Sequence, residues 1–223
     1  MSLHLRLKLF RRCSLNKPDR ITVLCVDDHP LVRDGIAFAL QAQRDMELVA
    51  EATNGREAIA AFRQHRPDVT LMDLQMPQVN GIEAIHAIRK EFPRARIVVL
   101  TTYSGDVQAT RALEAGAVGY LLKSMLRTEL IDTIRGVHAG QRRIPREIAD
   151  EIAEHIGADA LSARETEVLR VVAAGCSNKI VADRLAISEE TVKGHIKSVL
   201  AKLCANDRTH AVMIAMKRGF LDA

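Results

Sequence analysis

The chain has 223 residues, 48% of them hydrophobic, and carries 32 Lys and Arg against 28 Asp and Glu for a formal net charge of +4. That apolar content builds packed cores and excludes wholesale disorder, while no apolar run approaches the roughly 20 residues of a membrane helix. Aromatics at 3% with no Trp argue against a surface built on base stacking, and four scattered cysteines (Cys13, Cys25, Cys176, Cys204) without a C-x-x-C pair argue against a zinc ribbon or disulfide scaffold and suit a reducing cytoplasm.

Residues 1–20 hold six basic residues and one acidic, residues 21–145 fifteen of each, and residues 146–223 eleven basic and twelve acidic. The whole excess sits in the N-terminal tail. Bulk charge is therefore no argument for nucleic-acid binding by the body, and such a reading must rest on local placement. The tail alternates apolar and polar from Leu3 to Leu9, which also fits an edge strand or a surface contact. It lacks the apolar centre and cleavage site of a secretory signal. We expect residues 1–20 to be a disordered or non-native extension.

From Ile21, apolar runs bounded by turn residues alternate with stretches of helical period. Strands are predicted at Ile21–Val26, Glu47–Ala52, Val69–Asp73, Ile97–Thr101 and Gly119–Lys123. Helices are predicted between them at Pro30–Gln43, Arg56–His65, Ile82–Glu91 and Asp106–Ala115, with a fifth after them at Arg127–Gly140. This alternation implies a doubly wound, mostly parallel five-stranded α/β sheet, and near-continuous apolar strands such as VTLMD and RIVVL imply helices on both faces.

After Gly140 the strand signals stop. Ile144–Gly157 reads as an amphipathic connecting helix. Four helices follow, at Ala163–Ala174, Asn178–Leu185, Glu190–Leu203 and Thr209–Arg218. Ser162 and Glu165 spell a capping box for the first of these, and Gly175 is its stop. The expected division is an extension (1–20), an α/β domain (21–140), a linker helix (141–158) and an all-α four-helix domain (159–223).

Asp27 and Asp28 end the first strand and Asp73 ends the third. In a doubly wound sheet the carboxyl ends of central strands meet at the switch point, where ligands bind. Three carboxylates there repel one another unless a hard cation joins them, and oxygen donors with an open site suit Mg²⁺. Thr101 ends the fourth strand with a hydroxyl and Lys123 the fifth with an ammonium. Acids, a metal, a hydroxyl and a cation around one point suit a phosphoryl group, which one carboxylate could accept covalently. A strand-end acid taken singly is as readily a helix N-cap; five such residues at strand ends are not. His29 follows the acid pair, and without a His or Cys partner at ligand spacing it reads as a loop residue.

The segments VLCVDDHPLVRDG, LMDLQMPQVNG, VVLTTYSGD and GAVGYLLKS, in that order, resemble a bacterial response-regulator receiver domain over about 120 residues, a flavodoxin-like fold. The resemblance implies that Asp73 is the phosphoacceptor. It implies that Asp28, Asp73 and the backbone carbonyl of Gln75 coordinate Mg²⁺, with Asp27 acting through a water. It implies that Lys123 pairs with the phosphoryl group, that Thr101 moves to hydrogen-bond it, and that Tyr120 is the aromatic that rotates with Thr101. Pro77 and Gly81 match the turn after the acceptor, and Gln75 and Tyr103 lie at loop positions that influence attack of water. Ser124 stands where relatives commonly carry Asp.

In the C-terminal part, the short break Ala186–Ser188 between two helices has helix-turn-helix spacing. Val192, Ile196, Val199, Leu200 and Leu203 form one apolar face of the second helix. Lys193, Gly194 and Lys197 lie elsewhere on it, where two cations one turn apart beside a residue without a side chain let a helix approach a duplex. Ser188 and Thr191 at its start can reach phosphates. Charge alone fits a solvated lysine face equally. The stretch LSARETEVLRVVAAGCSNKIVADRLAISEETVKGHIKSVLAKL resembles the LuxR/NarL-type DNA-binding domain. That resemblance implies base contacts by Lys193, Gly194 and Lys197, backbone contacts by Asn178, Lys179, Ser188 and Thr191, a structural role for His195, and dimer contact through the last helix. Gly194 is unusual at its position, and Cys204 replaces a common Gly after the helix; it is expected to be a small buried hydrophobe.

The expected function is that of a cytoplasmic two-component transcription regulator. It would be phosphorylated on Asp73 by a sensor histidine kinase and bind double-stranded DNA as a homodimer, without membrane contact and without turnover beyond its own slow dephosphorylation. The competing readings are a DNA-binding regulator with an unphosphorylated receiver used for interaction, and an Mg²⁺-dependent aspartyl phosphohydrolase. Against the last, Gln75 stands two residues after Asp73 and cannot protonate a leaving group.

Overall fold

The computed structural model describes residues 20–102, 105–154 and 160–221; the rest of the N-terminal extension, Tyr103 and the far end of the expected linker helix lie outside them. Five strands, β1 (Ile21–Val26), β2 (Met46–Ala52), β3 (Val69–Asp73), β4 (Ile97–Thr101) and β5 (Gly119–Leu122), form one sheet in the order β2-β1-β3-β4-β5. Every neighbouring pair is parallel. The helices α1 (Pro30–Gln41), α2 (Gly55–His65), α3 (Gly81–Glu91) and α4 (Asp106–Glu114) connect successive strands, and α5 (Leu126–His138) follows β5.

All five residues of β3 and of β4 are buried, because successive side chains point to opposite faces and both faces are covered. Leu24, Val26, Met72, Ile97 and Val99 pack on one side with α2, α3 and α4. Val23, Cys25, Leu71, Val98 and Leu100 pack on the other with α1 and α5. Local chemistry sets the helix starts. Asn54 and Asn80 accept hydrogen bonds from the backbone N–H of Glu57 and Glu83, so α2 and α3 each begin one residue before the position their apolar period indicates.

Two expectations need correction here. Lys123 is not the last residue of β5: the strand ends at Leu122, and Lys123 opens a single 3-10 turn, Lys123–Met125. The connecting helix, α6 (Arg146–Glu154), starts two residues later than expected, because Pro145 disfavours helical backbone at Ile144. The segment before α6 is held against the sheet: the Tyr120 N–H donates to the Arg143 carbonyl at 2.7 Å, and the Arg143 N–H to the Val118 carbonyl at 3.2 Å. Ile148 of α6 is fully buried among α/β core residues that include Tyr120.

The helical part comprises α7 (Ala163–Ala173), α8 (Asn178–Leu185), α9 (Glu189–Lys202) and α10 (Arg208–Arg218) around a separate core of Leu161, Val168, Val181, Val192, Val199 and Phe220, among others. Ser162 and Glu165 make the reciprocal capping box at α7. Glu165 does more than cap: its carboxylate also receives Ser198 Oγ at 2.6 Å and Lys202 Nζ at 2.8 Å, tying the start of α7 to α9. Cys204 is exposed, with φ +50°, so the expectation of a buried hydrophobe fails. The second residue after α9, beyond its C-cap Leu203, turns into left-handed backbone, and its side chain lies outside the core.

Candidate functional site

The carboxyl ends of β1 and β3 bring Asp27, Asp28 and Asp73 together. Asp27 is fully buried, Asp73 is 3% exposed, and Asp28 is half-buried. Lys123 reaches into them from the turn after β5, its Nζ 2.8 Å from Asp27 Oδ2 and 2.9 Å from Asp73 Oδ2. Burial pushes the Asp73 carboxyl above its ordinary value; Lys123 opposes this and the neighbouring charge of Asp27 adds to it. Burial alone would lower the Lys123 ammonium, but its bonds to Asp27 and Asp73 outweigh that and hold it raised and charged. The Gln75 N–H donates to Asp73 Oδ1 at 3.3 Å.

Asp27 is fixed from outside the pocket as well. Its Oδ1 accepts from the His29 N–H at 2.9 Å, and its carbonyl accepts from Arg33 Nη1 at 2.8 Å. Gly81 makes the acceptor turn possible: a Cβ there would lie 2.0 Å from the Asp73 carbonyl oxygen. Its N–H donates to the Leu74 carbonyl at 3.0 Å.

Ligand atoms of Asp27, Asp28, His29 and Asp73 all lie within 4.8 Å of one another. Asp28 Oδ1 is buried beside the other carboxylates. A cluster of oxygen donors of like charge at such close range fits a divalent cation, whose charge offsets the carboxylate repulsion. His29, read from sequence as a loop residue, stands at the start of α1 with Nδ1 2.8 Å from Asp28 Oδ1. Its lack of a sequence partner at ligand spacing gave no sign of this.

Thr101 ends β4, buried, and its side chain is hydrogen-bonded with the Tyr120 hydroxyl. Burial drives the Tyr120 phenol well above its ordinary range; the bond with Thr101 partly opposes this, and the charge of Glu151 on α6 adds to it. Cys25, under the pocket, is pushed up to about 12 by burial and then by the charges of Asp27 and Glu51, so its thiol stays protonated.

In the helical domain, α8 and α9 are joined by Ala186 in left-handed backbone, Ile187 and Ser188. Ser188 Oγ accepts from the Thr191 N–H at 3.1 Å and bonds the Thr191 hydroxyl at 2.8 Å, so Ser188 caps the helix it was expected only to help dock. Val192, Val199 and Leu203 are buried, with Ile196 and Leu200 packed against them. On the rest of α9, Lys193, Gly194 and Lys197 are exposed, and a Cβ at Gly194 would meet nothing within 4 Å. Lys193 pairs with surface Glu190 at 3.3 Å, an exposed contact worth little. Asn178 and Lys179 open α8, half-buried and exposed. His195 is half-buried beside the apolar face.

Family models match the chain twice. Residues 23–135 match the response regulator receiver domain, and residues 159–215 match the bacterial regulatory proteins of the luxR family. The chain belongs to the LuxR-type response regulators. Among relatives of this regulator, the transcriptional regulatory protein YxjL of Bacillus subtilis is 41% identical, the match covering 93% of this chain and all of YxjL. The crystal structure of ChrA, a response regulator of a heme-sensing two-component system, is 34% identical with a TM-score of 0.55 over 92% of this chain and all of ChrA. An RcsB–DNA complex is 26% identical with a TM-score of 0.65, covering 89% of this chain and 98% of RcsB. The regulator thus joins a receiver to a LuxR-type DNA-binding domain, and none of its described helices is long and apolar enough to cross a membrane.

Proposed function

We propose that the regulator is a phosphorylation-controlled transcription factor of the cytoplasm, with Asp73 as phosphoacceptor and a sensor histidine kinase as donor. The observation that carries this reading is the pairing of Asp73 with Lys123 beside Asp27 and Asp28 at the ends of β1 and β3. Asp73 Oδ attacks phosphorus as the bond from phosphorus to the donor's histidine nitrogen breaks. Lys123, already charged and 2.9 Å from Asp73, moves its attention to a phosphoryl oxygen. Asp27, Asp28 and Asp73, with the Gln75 carbonyl, would hold Mg²⁺, which supplies charge neutralisation for the entering phosphoryl group.

The Thr101 hydroxyl then leaves Tyr120 for the phosphoryl oxygen, and Tyr120, buried against α6, adjusts with it. This is a local charge event acting on a two-state element. Turnover on a separate substrate is not part of the reading, because Gln75 supplies no acid for a leaving group; only slow self-dephosphorylation is.

The open face of α9, with Lys193, Gly194 and Lys197, enters the major groove, and Asn178, Lys179 and Thr191 meet the phosphate backbone. Binding as a homodimer to paired half-sites follows the usual match of protein and operator symmetry. The DNA arm is tested by affinity against salt for the lysine variants below, and the acceptor arm by labelling with a phosphodonor.

A further inference from the structure

The ladder between β1 and β2 runs out at Asp27. Val26 pairs with Ala52, and the Asp27 N–H donates to the Ala52 carbonyl at 3.1 Å. The Asp27 carbonyl lies beyond the last strand partner, and a buried carbonyl takes its donor from elsewhere. Arg33, in the first turn of α1, supplies it: Nη1 donates at 2.8 Å. The same guanidinium also reaches the edge strand, where Nε donates to Glu51 Oε2 at 3.2 Å. The Arg33 side chain is only 16% exposed, against 43% for Glu51. It therefore bridges the start of α1, the end of β1 and the neighbouring strand β2.

The grip falls on one particular peptide unit. The Asp27 carbonyl and the Asp28 N–H share a rigid plane, so holding that oxygen sets how the two carboxylates stand to each other. The Asp27 side chain is held in turn, Oδ1 by the His29 N–H at 2.9 Å and Oδ2 by Lys123 at 2.8 Å. Both acids belong to the cluster whose ligand atoms lie within 4.8 Å of one another, and Mg²⁺ demands near-ideal geometry of its oxygen ligands. Arg33 acts on these acids through the backbone. Lysine could not replace it, because a point charge on a flexible stem lacks the fixed fork that meets a carbonyl and a carboxylate together.

We propose that Arg33 is a positioning residue of the acceptor site: held by Glu51, it fixes the Asp27 carbonyl and so sets Asp27 and Asp28 for the divalent cation. This role rests on the metal reading of the pocket above. The sign of its effect separates position from charge. Arg33 is a cation beside a cation site, so through its field alone its removal would tighten Mg²⁺ binding. Through position, its removal loosens binding, and outer partners of metal ligands are worth about 10- to 100-fold in affinity.

The test is calorimetric titration of Mg²⁺ into the full-length, unphosphorylated protein, with folding checked by circular dichroism. Arg33→Gln should weaken Mg²⁺ binding by about tenfold or more. Arg33→Lys, which keeps the charge but not the fork, should also bind more weakly than wild type. Glu51→Ala should weaken binding in wild type and no further in Arg33→Gln. Arg135→Gln, which removes a cation paired with Asp45 beyond the far end of α1, should bind as wild type does. Equal or tighter binding by Arg33→Gln would overturn the proposal, as would an equal loss in Arg135→Gln. Should Arg33→Gln not fold, wild-type affinity in Arg33→Lys would overturn it instead. A wild type that binds no Mg²⁺ refutes the metal reading and this role with it. A wild type that binds, beside Arg33 variants that bind as tightly, refutes the role of Arg33 alone. Phosphoryl uptake at Asp73 is read separately, by intact mass.

Discussion

Lys123 Nζ stands 2.9 Å from Asp73 Oδ2, joining the turn beyond β5 to the end of β3 across the top of the sheet. The same nitrogen reaches Asp27 at 2.8 Å. One cation therefore offsets two largely buried acids. Removing one partner of a buried ionic group leaves the others uncompensated, at a cost of about 3 kcal/mol or more. Lys123→Ala should lower the thermal midpoint of the receiver. Added Mg²⁺ should raise the midpoint of this variant by more than it raises wild type. A variant that melts like wild type in metal-free buffer would contradict the pairing.

Gly81 is required by contact rather than by backbone conformation, since a Cβ would press on the Asp73 carbonyl from 2.0 Å. The acceptor loop has to move to admit even a methyl group, and overpacking of this kind costs roughly 1–3 kcal/mol. Gly81→Ala should lose stability by denaturant unfolding and should take up phosphoryl groups more slowly. Wild-type stability together with a wild-type labelling rate would count against a tight turn at the acceptor.

Glu165 gives the DNA-binding domain an acid sensitivity. Burial alone would raise its carboxyl, but bonds from Lys202, Ser198 and the Ser162 backbone outweigh that and hold it at about 2, below its ordinary 4.5. A depressed acid stabilises the fold fully above its unfolded value and loses that contribution as pH falls through the folded one. The window is pH 4.5 down to about 2, and the contribution is on the order of 3 kcal/mol. Glu165→Gln should flatten the fall in helical stability across that window and lower stability at neutral pH. A variant with the wild-type pH dependence would show that the carboxylate is not the group responsible.

At Gly194 stability and binding should part. Nothing lies within 4 Å of a Cβ there, so Gly194→Ala should stabilise the free protein by up to ~1 kcal/mol through helix propensity. If α9 lies close in the groove, the same methyl weakens DNA binding. Lys193→Ala and Lys197→Ala should each weaken binding and lower the salt slope by about 1. Affinities indifferent to all three changes would remove α9 from the interface.

The pocket was legible because its carboxylates close apolar runs, and parallel strands must bring such ends together. The buried face of α9 was legible because its spacing repeats every turn. Contacts between remote segments left no such trace. Arg143 meets β5 only because the chain doubles back after α5. Asp106 and Arg218 form an ion pair from 112 residues apart, and each taken singly is an ordinary helix-end charge. Cys204 was misjudged because composition favours burial of cysteine, whereas the left-handed turn after α9 directs it outward.

The central claim is that Asp73 accepts a phosphoryl group. The most direct measurement is incubation of the full-length protein with a small acyl- or amidophosphate donor and Mg²⁺, read by intact mass beside Asp73→Asn. One added phosphoryl group is expected on wild type and none on the variant, with both proteins folded. Equal labelling of the two, or a folded wild type that stays unlabelled in Mg²⁺, would contradict it.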